Sequence, residues 1–175
     1  AHSQSMIGEP KVISAQQALL GLNPDLKITA LQKRLEGTEL SEAVGQADLV
    51  VDACDNFTTR FAINCACIEH GKALVSGAAI RMEGQVAVFD SRNPASPCYQ
   101  CLYSQGDDDD ASCSENGVMA PLVGIIGAVQ AMEAIKLLTG IGESLIGRLL
   151  LLDASTLQWR EMRLPRDSDC AACGV

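Results

Sequence analysis

Two short cysteine pairs carry the chemistry that is most legible in this chain: Cys98 and Cys101 in PCYQCL, and Cys170 and Cys173 in DCAACG. Each CxxC presents two thiols from one tight turn. Two such knuckles supply the four thiolates of a closed tetrahedral Zn²⁺ site. A closed shell leaves no position for water, so the expected role is structural, stapling the end of the chain to a sheet edge. Two other readings stand beside it: a redox dithiol, and four unrelated cysteines. A redox dithiol usually opens a helix after a strand, whereas these pairs sit beside Pro97 and close to the last residue.

Other residues are more ambiguous. Cys113 lies between the acidic run Asp107–Asp110 and a long apolar segment. A thiol near a helix N-terminus is activated, but neighbouring carboxylates oppose that, so a reactive thiol and an incidental surface thiol both stand. The Asp run itself has no ligand geometry and reads as a solvated loop over 105–114. Asp55 and Asn56 follow the apolar run ADLVVDAC. At the carboxyl end of a strand in an open α/β sheet, they are placed either to hold a cation and a nucleotide or merely to cap the next helix. Lys11 is a point charge for a phosphate or a solvated lysine; Arg60 and Arg81 share that ambiguity. His2 and His70 fit no triad, and neither is assigned a role.

The elements that must position these groups follow from the patterning. The chain has 175 residues, 47% of them hydrophobic, with a net charge of −9. That suits a globular small-molecule enzyme or a binder of basic partners, and argues against a reader of nucleic-acid backbone. Aromatic residues are few, so aliphatic side chains must build the core. The apolar stretch 118–138 is interrupted by Pro121, two glycines and three polar residues, so no membrane span is expected. No signal peptide opens the sequence. Cys54, Cys65 and Cys67 lie in apolar segments and read as small buried hydrophobes. A cytoplasmic location is expected.

Residues 9–22 read as a helix with Pro10 in its first turn, and 26–31 alternate as a strand. Residues 38–46 read as a short helix with Thr38 as N-cap. The runs 47–55, 72–80 and 84–90 read as strands, the first two buried on both faces, with a helix over 56–71. A long helix over 118–139 ends at Gly140, and 147–155 with 158–166 form a hairpin. The order βαβαβ followed by antiparallel strands predicts an open α/β sheet with a mixed edge, in a single domain over 1–175.

Taken in order, HSQSMIGEPKV, VVDACDN, LVSGAAIRMEGQVAVF, PCYQCL, CSENGVMAPLVGIIGAVQAMEAIKLL, GRLLLLDA and DCAACG resemble the MoeB/ThiF/HesA family of ubiquitin-activating-enzyme-like adenylyltransferases. SGAAIRMEGQ and the two CxxC pairs are most similar to the molybdopterin-synthase branch. The resemblance implies a Rossmann-like ATP-binding fold. It implies ATP-dependent adenylation of the C-terminal Gly-Gly carboxylate of a β-grasp ubiquitin-like sulfur carrier, leading to a thiocarboxylate for molybdopterin, thiamine or tRNA thiolation. By position, Lys11 matches a phosphate-contacting lysine, Asp55 the Mg-ATP aspartate and Asn56 the adjacent nucleotide contact. Cys98, Cys101, Cys170 and Cys173 match structural zinc ligands, and Cys113 a loop cysteine that some members link to the carrier or its sulfur. The resemblance further implies a homodimer and a sulfurtransferase or cysteine desulfurase as sulfur donor. The family pattern opens with a GxGxxG loop in a βαβ unit, which this sequence does not contain. It is therefore expected to be the C-terminal portion of such an adenylyltransferase domain; the alternative is a truncated, non-catalytic, zinc-stabilised carrier-binding module.

Overall fold

A computed structural model describes residues 3–103 and 117–174. Cys113, the acidic run Asp107–Asp110, the whole of the expected mobile loop and His2 lie outside them. The chain divides into two compact units, Ala1–Leu35 and Glu36–Val175.

In the first unit a 3₁₀ turn, Gln4–Met6, precedes helix α1, Lys11–Leu22. Pro10 takes the N-cap position, beside helical N–H groups that have no partner within the helix. The strand expected over 26–31 does not form. Alternation marks a pleated surface, but a lone extended segment needs a ladder partner, and no described strand pairs with it. Instead the Gln16 side chain donates from Nε2 to the Ile28 carbonyl at 3.0 Å.

The second unit contains α2 (Gly37–Gln46), β1 (Leu49–Asp52), α3 (Phe57–Glu69), β2 (Ala73–Ile80) and β3 (Glu83–Asp90). It continues with α4 (Tyr99–Leu102), α5 (Ala120–Thr139), β4 (Arg148–Asp153) and β5 (Gln158–Arg163). The N-cap of α2 is Glu36, not Thr38, and its side chain makes no cap bond. The five strands form one sheet in the order β1-β2-β3-β4-β5. Only β1 and β2 are parallel, with Leu49 opposite Ala73 and Asp52 opposite Ser76; every other pair is antiparallel. The expected βαβαβ order is thus corrected to a single βαβ. A parallel crossover needs a dozen or more residues, and only Arg81 and Met82 link β2 to β3. The architecture is the mixed α/β sheet expected.

The sheet is buried on both faces along β2 and β3, which is why their sequences are nearly continuous apolar runs. Leu74, Ala87 and Phe89 face α3, packing with Phe61, Ile63 and Tyr99. Val75, Val86 and Val88 face α5, packing with Leu122 and Ile126. β1 is an edge strand, and its Val51 is exposed. By length and composition α5 is apolar enough to cross a membrane, which the sequence reading did not expect. Its inward stripe of Leu122, Ile126, Gln130 and Glu133 is buried, as in a core helix. Gln130 Nε2 donates to Asp52 O at 2.7 Å and Val75 O at 3.3 Å. Glu133 pairs with Lys136 and accepts the Leu145 N–H at 2.8 Å, tying α5 to the segment before β4. Gly140, at φ 71°, closes α5 with its N–H on Lys136 O.

The close approach of α5 to β3 depends on Gly84. A Cβ there would lie 2.6 Å from Ile126 Cδ1 and 3.0 Å from Leu122 Cδ1, both on buried side chains with no room to move. Gly84→Ala should therefore destabilise the protein by about 1–3 kcal/mol. Urea unfolding should show a lower midpoint at an unchanged slope, and an unchanged midpoint would contradict this packing.

Candidate functional site

The fold brings both CxxC pairs to one point. The four Sγ atoms of Cys98, Cys101, Cys170 and Cys173 all lie within 4.8 Å of one another. Cys98 is 3.7 Å from Cys170 and 3.9 Å from Cys101, and Cys101 is 3.4 Å from Cys173. Four sulfurs at the usual Zn–S distance around a tetrahedral ion stand about 3.8 Å apart, so the donor set and its spacing fit a metal ion. Convergence of both pairs is what a four-thiolate centre requires and an isolated dithiol does not.

Local chemistry builds each knuckle. Cys98 is the N-cap of α4; its sulfur accepts the Cys101 N–H, and its own N–H faces Cys101 Sγ at 3.4 Å. At the other pair, Gly174 donates to Cys170 O at 2.7 Å, and a Cβ on Gly174 would lie 2.5 Å from that oxygen. Arg166 clamps this turn, donating to Cys173 O and to Pro94 O. Burial pushes the Cys98 thiol up and the Cys173 thiol up to about 11. Burial also opposes the Cys170 thiolate, but hydrogen bonds from the N–H groups of Ala172 and Cys173 and from the Cys98 and Cys101 side chains together hold that thiol below its usual range. Thiols that are protonated at neutral pH must release protons to bind a metal.

A cavity of about 460 Å³ opens at the carboxyl ends of β1 and β2. Asp55 and Asn56 stand at its rim, Ala78, Ala79 and Gly84 form a floor with little side-chain bulk, and Tyr99 and Tyr103 form an aromatic wall. The tyrosine rings are 5.0 Å apart, and the Tyr103 hydroxyl meets the Gln85 amide at 2.6 Å. Asp153 and Arg160 close the far side.

Asn56 caps α3: its Oδ1 accepts the Thr59 N–H at 2.9 Å, while Nδ2 donates to Asp55 Oδ1 at 3.2 Å. Capping therefore occupies the Asn56 oxygen, and Asp55 remains exposed. Arg60 is not a solvated cation. It is buried, 3.6 Å from Asp52 Oδ2, and donates to Gly77 O at 3.0 Å, to Ser76 Oγ and to Cys54 O. Asp52 in turn accepts the Cys54 N–H at 2.8 Å. This network fixes the turn that presents Asp55 and Asn56. Lys11 is the first residue of α1, exposed, in the first unit. Arg81 sits in the β2–β3 turn at φ 51°, and His70 ends α3 with Nε2 2.7 Å from Ser41 Oγ.

Of the three cysteines expected to be buried, Cys67 is buried, Cys54 is half-buried and Cys65 is exposed on α3. Burial, reinforced by Asp52, pushes the Cys54 thiol up to about 12. Tyr99, Tyr103 and Arg160 were not singled out by the sequence reading. The spacing of the two tyrosines, four apart across Cys101, was the available signal for a shared helical face; Arg160 had none.

The ThiF family pattern matches residues 1–172. The chain belongs to the ThiF family. The molybdopterin-synthase adenylyltransferase of Escherichia coli K12 is 46% identical over 173 residues, covering 99% of this chain and 69% of that protein. The sulfur carrier protein ThiS adenylyltransferase of the same organism is 43% identical over 168 residues, covering 96% of this chain and 66% of that protein. A solved structure of E. coli MccB with ATP superimposes with a TM-score of 0.82 at 16% identity, covering 99% of this chain and 54% of MccB, which shows a shared fold. This ThiF-family chain thus spans about two thirds of the length of those curated relatives and about half of MccB.

Replacing Cys98 or Cys173 in this ThiF-family chain with serine should abolish stoichiometric metal binding and lower the melting temperature by several degrees. Metal analysis alongside calorimetry checks both; unchanged metal content and melting would refute a metal centre.

Proposed function

We propose that this chain serves an adenylyltransferase that uses ATP to activate the C-terminal Gly-Gly carboxylate of a β-grasp ubiquitin-like sulfur carrier, ahead of thiocarboxylate formation for molybdopterin or thiamine. The observation that carries this reading is the cavity at the carboxyl ends of the parallel pair, in a chain 46% identical to a named molybdopterin-synthase adenylyltransferase. An extended Gly-Gly tail has no side chains, and the alanine and glycine floor matches it. The net charge of −9 suits a carrier with a basic docking surface.

In the proposed reaction a carboxylate oxygen of the tail attacks the α-phosphorus of ATP, the bond to pyrophosphate breaks, and an acyl-adenylate remains. Both reactants are anions, so charge must be neutralised where they meet. Asp55 would hold Mg²⁺, which would supply neutralisation of phosphate charge there. Lys11 contacts a phosphate, and Asn56 contacts the nucleotide while it caps α3. Cys113 links to the carrier: its thiolate attacks the acyl-adenylate carbonyl, AMP leaves, and the carrier is held as a thioester. Zn²⁺ at Cys98, Cys101, Cys170 and Cys173 is structural, and a sulfurtransferase or cysteine desulfurase supplies the sulfur. Free thiols, seven among the described residues, suit a reducing cytoplasm.

ATP–pyrophosphate exchange with a Gly-Gly-ended β-grasp carrier tests the assignment. Exchange is expected, and Asp55→Ala should lower it roughly 100-fold with metal content and melting unchanged. Carrier binding that is indifferent to ATP, with no exchange, would overturn it in favour of a carrier-docking module.

We also infer a homodimer. The outer face of α5 exposes Met132, Ile135 and Leu138 at 58%, 52% and 60%, a stripe suited to burial against a second copy. Light scattering should give a dimer for the wild type and a monomer for Ile135→Glu; a monomeric wild type would refute the assignment.

A further inference from the structure

Helix α3 runs from the cavity rim toward the four cysteines. Asn56 caps its first turn, and about two turns on, Asn64 is only 1% exposed. Asn64 Oδ1 accepts the Tyr99 N–H at 2.8 Å, fixing the residue that follows Cys98. A backbone N–H can only donate, so the Asn64 amide has one orientation, with Nδ2 turned the other way. That Nδ2 is buried and has no hydrogen-bond partner among the described residues. A buried amide N–H left unpaired costs about 1–3 kcal/mol, and native proteins leave few of them. Tyr99 N is one peptide bond from Cys98, so the hydrogen bond to Oδ1 sets the Asn64 amide beside that residue. Cys98 Sγ is itself buried and shared with Cys101 and Cys170. A neutral thiol is a weak acceptor; a thiolate bound to a cation is a better one.

We propose that Asn64 is a positioning residue of the metal centre, whose Nδ2–H donates to the Cys98 thiolate when the four cysteines hold a metal while its Oδ1 holds Tyr99. The inference rests on the reading of those cysteines as a metal centre. It gives the orphaned donor its acceptor and explains why an amide is buried on the inner face of α3. It also joins the metal to the cavity. Tyr99 lines the cavity, packs edge-on against Phe61 at 5.6 Å and Phe89 at 5.9 Å, and lies 5.9 Å beneath the Arg60 guanidinium.

Two measurements test it. In Asn64→Leu, chelator competition should show metal affinity weakened about 10–100-fold. The thiolate-to-cobalt charge-transfer band of the cobalt-loaded variant should move to lower energy, because an unbonded sulfur holds its electrons less tightly. A merely structural role would lower the melting temperature and leave that band in place. Should the variant fail to fold, the wild type decides: loaded with NMR-active cadmium, it should show a scalar coupling between the metal and the Asn64 side-chain amide protons. Stoichiometric metal without that coupling, or with an unmoved band in folded Asn64→Leu, overturns the proposal alone. Absence of any bound metal overturns the metal centre and the proposal with it.

Discussion

A buried guanidinium holds the second unit together at the place where its chemistry is assembled. A guanidinium brings a positive charge into the site, and a lone charge there costs several kcal/mol. Asp52 supplies the opposite charge, the carbonyls of Cys54 and Gly77 accept from Nη2, and the Ser76 hydroxyl accepts from Nη1. Those partners come from the end of β1, the turn after it and the middle of β2. Removing any one strands part of the charge, so the β1–α3 turn is held closed by the cost of opening it. The rim carrying Asp55 and Asn56 inherits its geometry from that constraint.

On the opposite face of the sheet, polar side chains of α5 serve the same purpose. Gln130 reaches from α5 to the carbonyls of Asp52 and Val75, passing over Gly77, where a Cβ would lie 2.3 Å from its amide carbon. Glu133 anchors the segment before β4 in the same way. A helix that looks apolar in composition is thereby registered against the sheet by two polar side chains. Apolar packing is indifferent to small slides; a hydrogen bond to a particular carbonyl is not.

Features governed by local pattern were legible in the sequence. The apolar runs of β2 and β3, the Gly140 stop and the β4–β5 hairpin follow from periodicity and turn chemistry, and the CxxC spacing announced its knuckles. Features that depend on a neighbour distant in the chain were not. The 26–31 segment alternates like a strand yet has no ladder, because alternation does not specify a partner. Cys65 and Cys67 look alike in sequence but lie on opposite sides of α3. Arg60 could not be told from a solvated arginine until Asp52 and Gly77 were beside it. Asn64 carried no signal, since its function lies in groups more than thirty residues away.

Seen as a polymer, the four-thiolate centre is a crosslink. A metal held there joins the segment at Cys98–Cys101 to the turn at Cys170–Cys173 and encloses α5, the β4–β5 hairpin and residues 104–116 in one closed ring. Closing a ring costs entropy that grows only logarithmically with its length, about 0.6 kcal/mol for each doubling. The ring can therefore lengthen or shorten at little thermodynamic expense, while the crosslink keeps its two ends registered beside Tyr99. Chains that share this centre are free to vary the stretch before α5 without renegotiating the cavity wall.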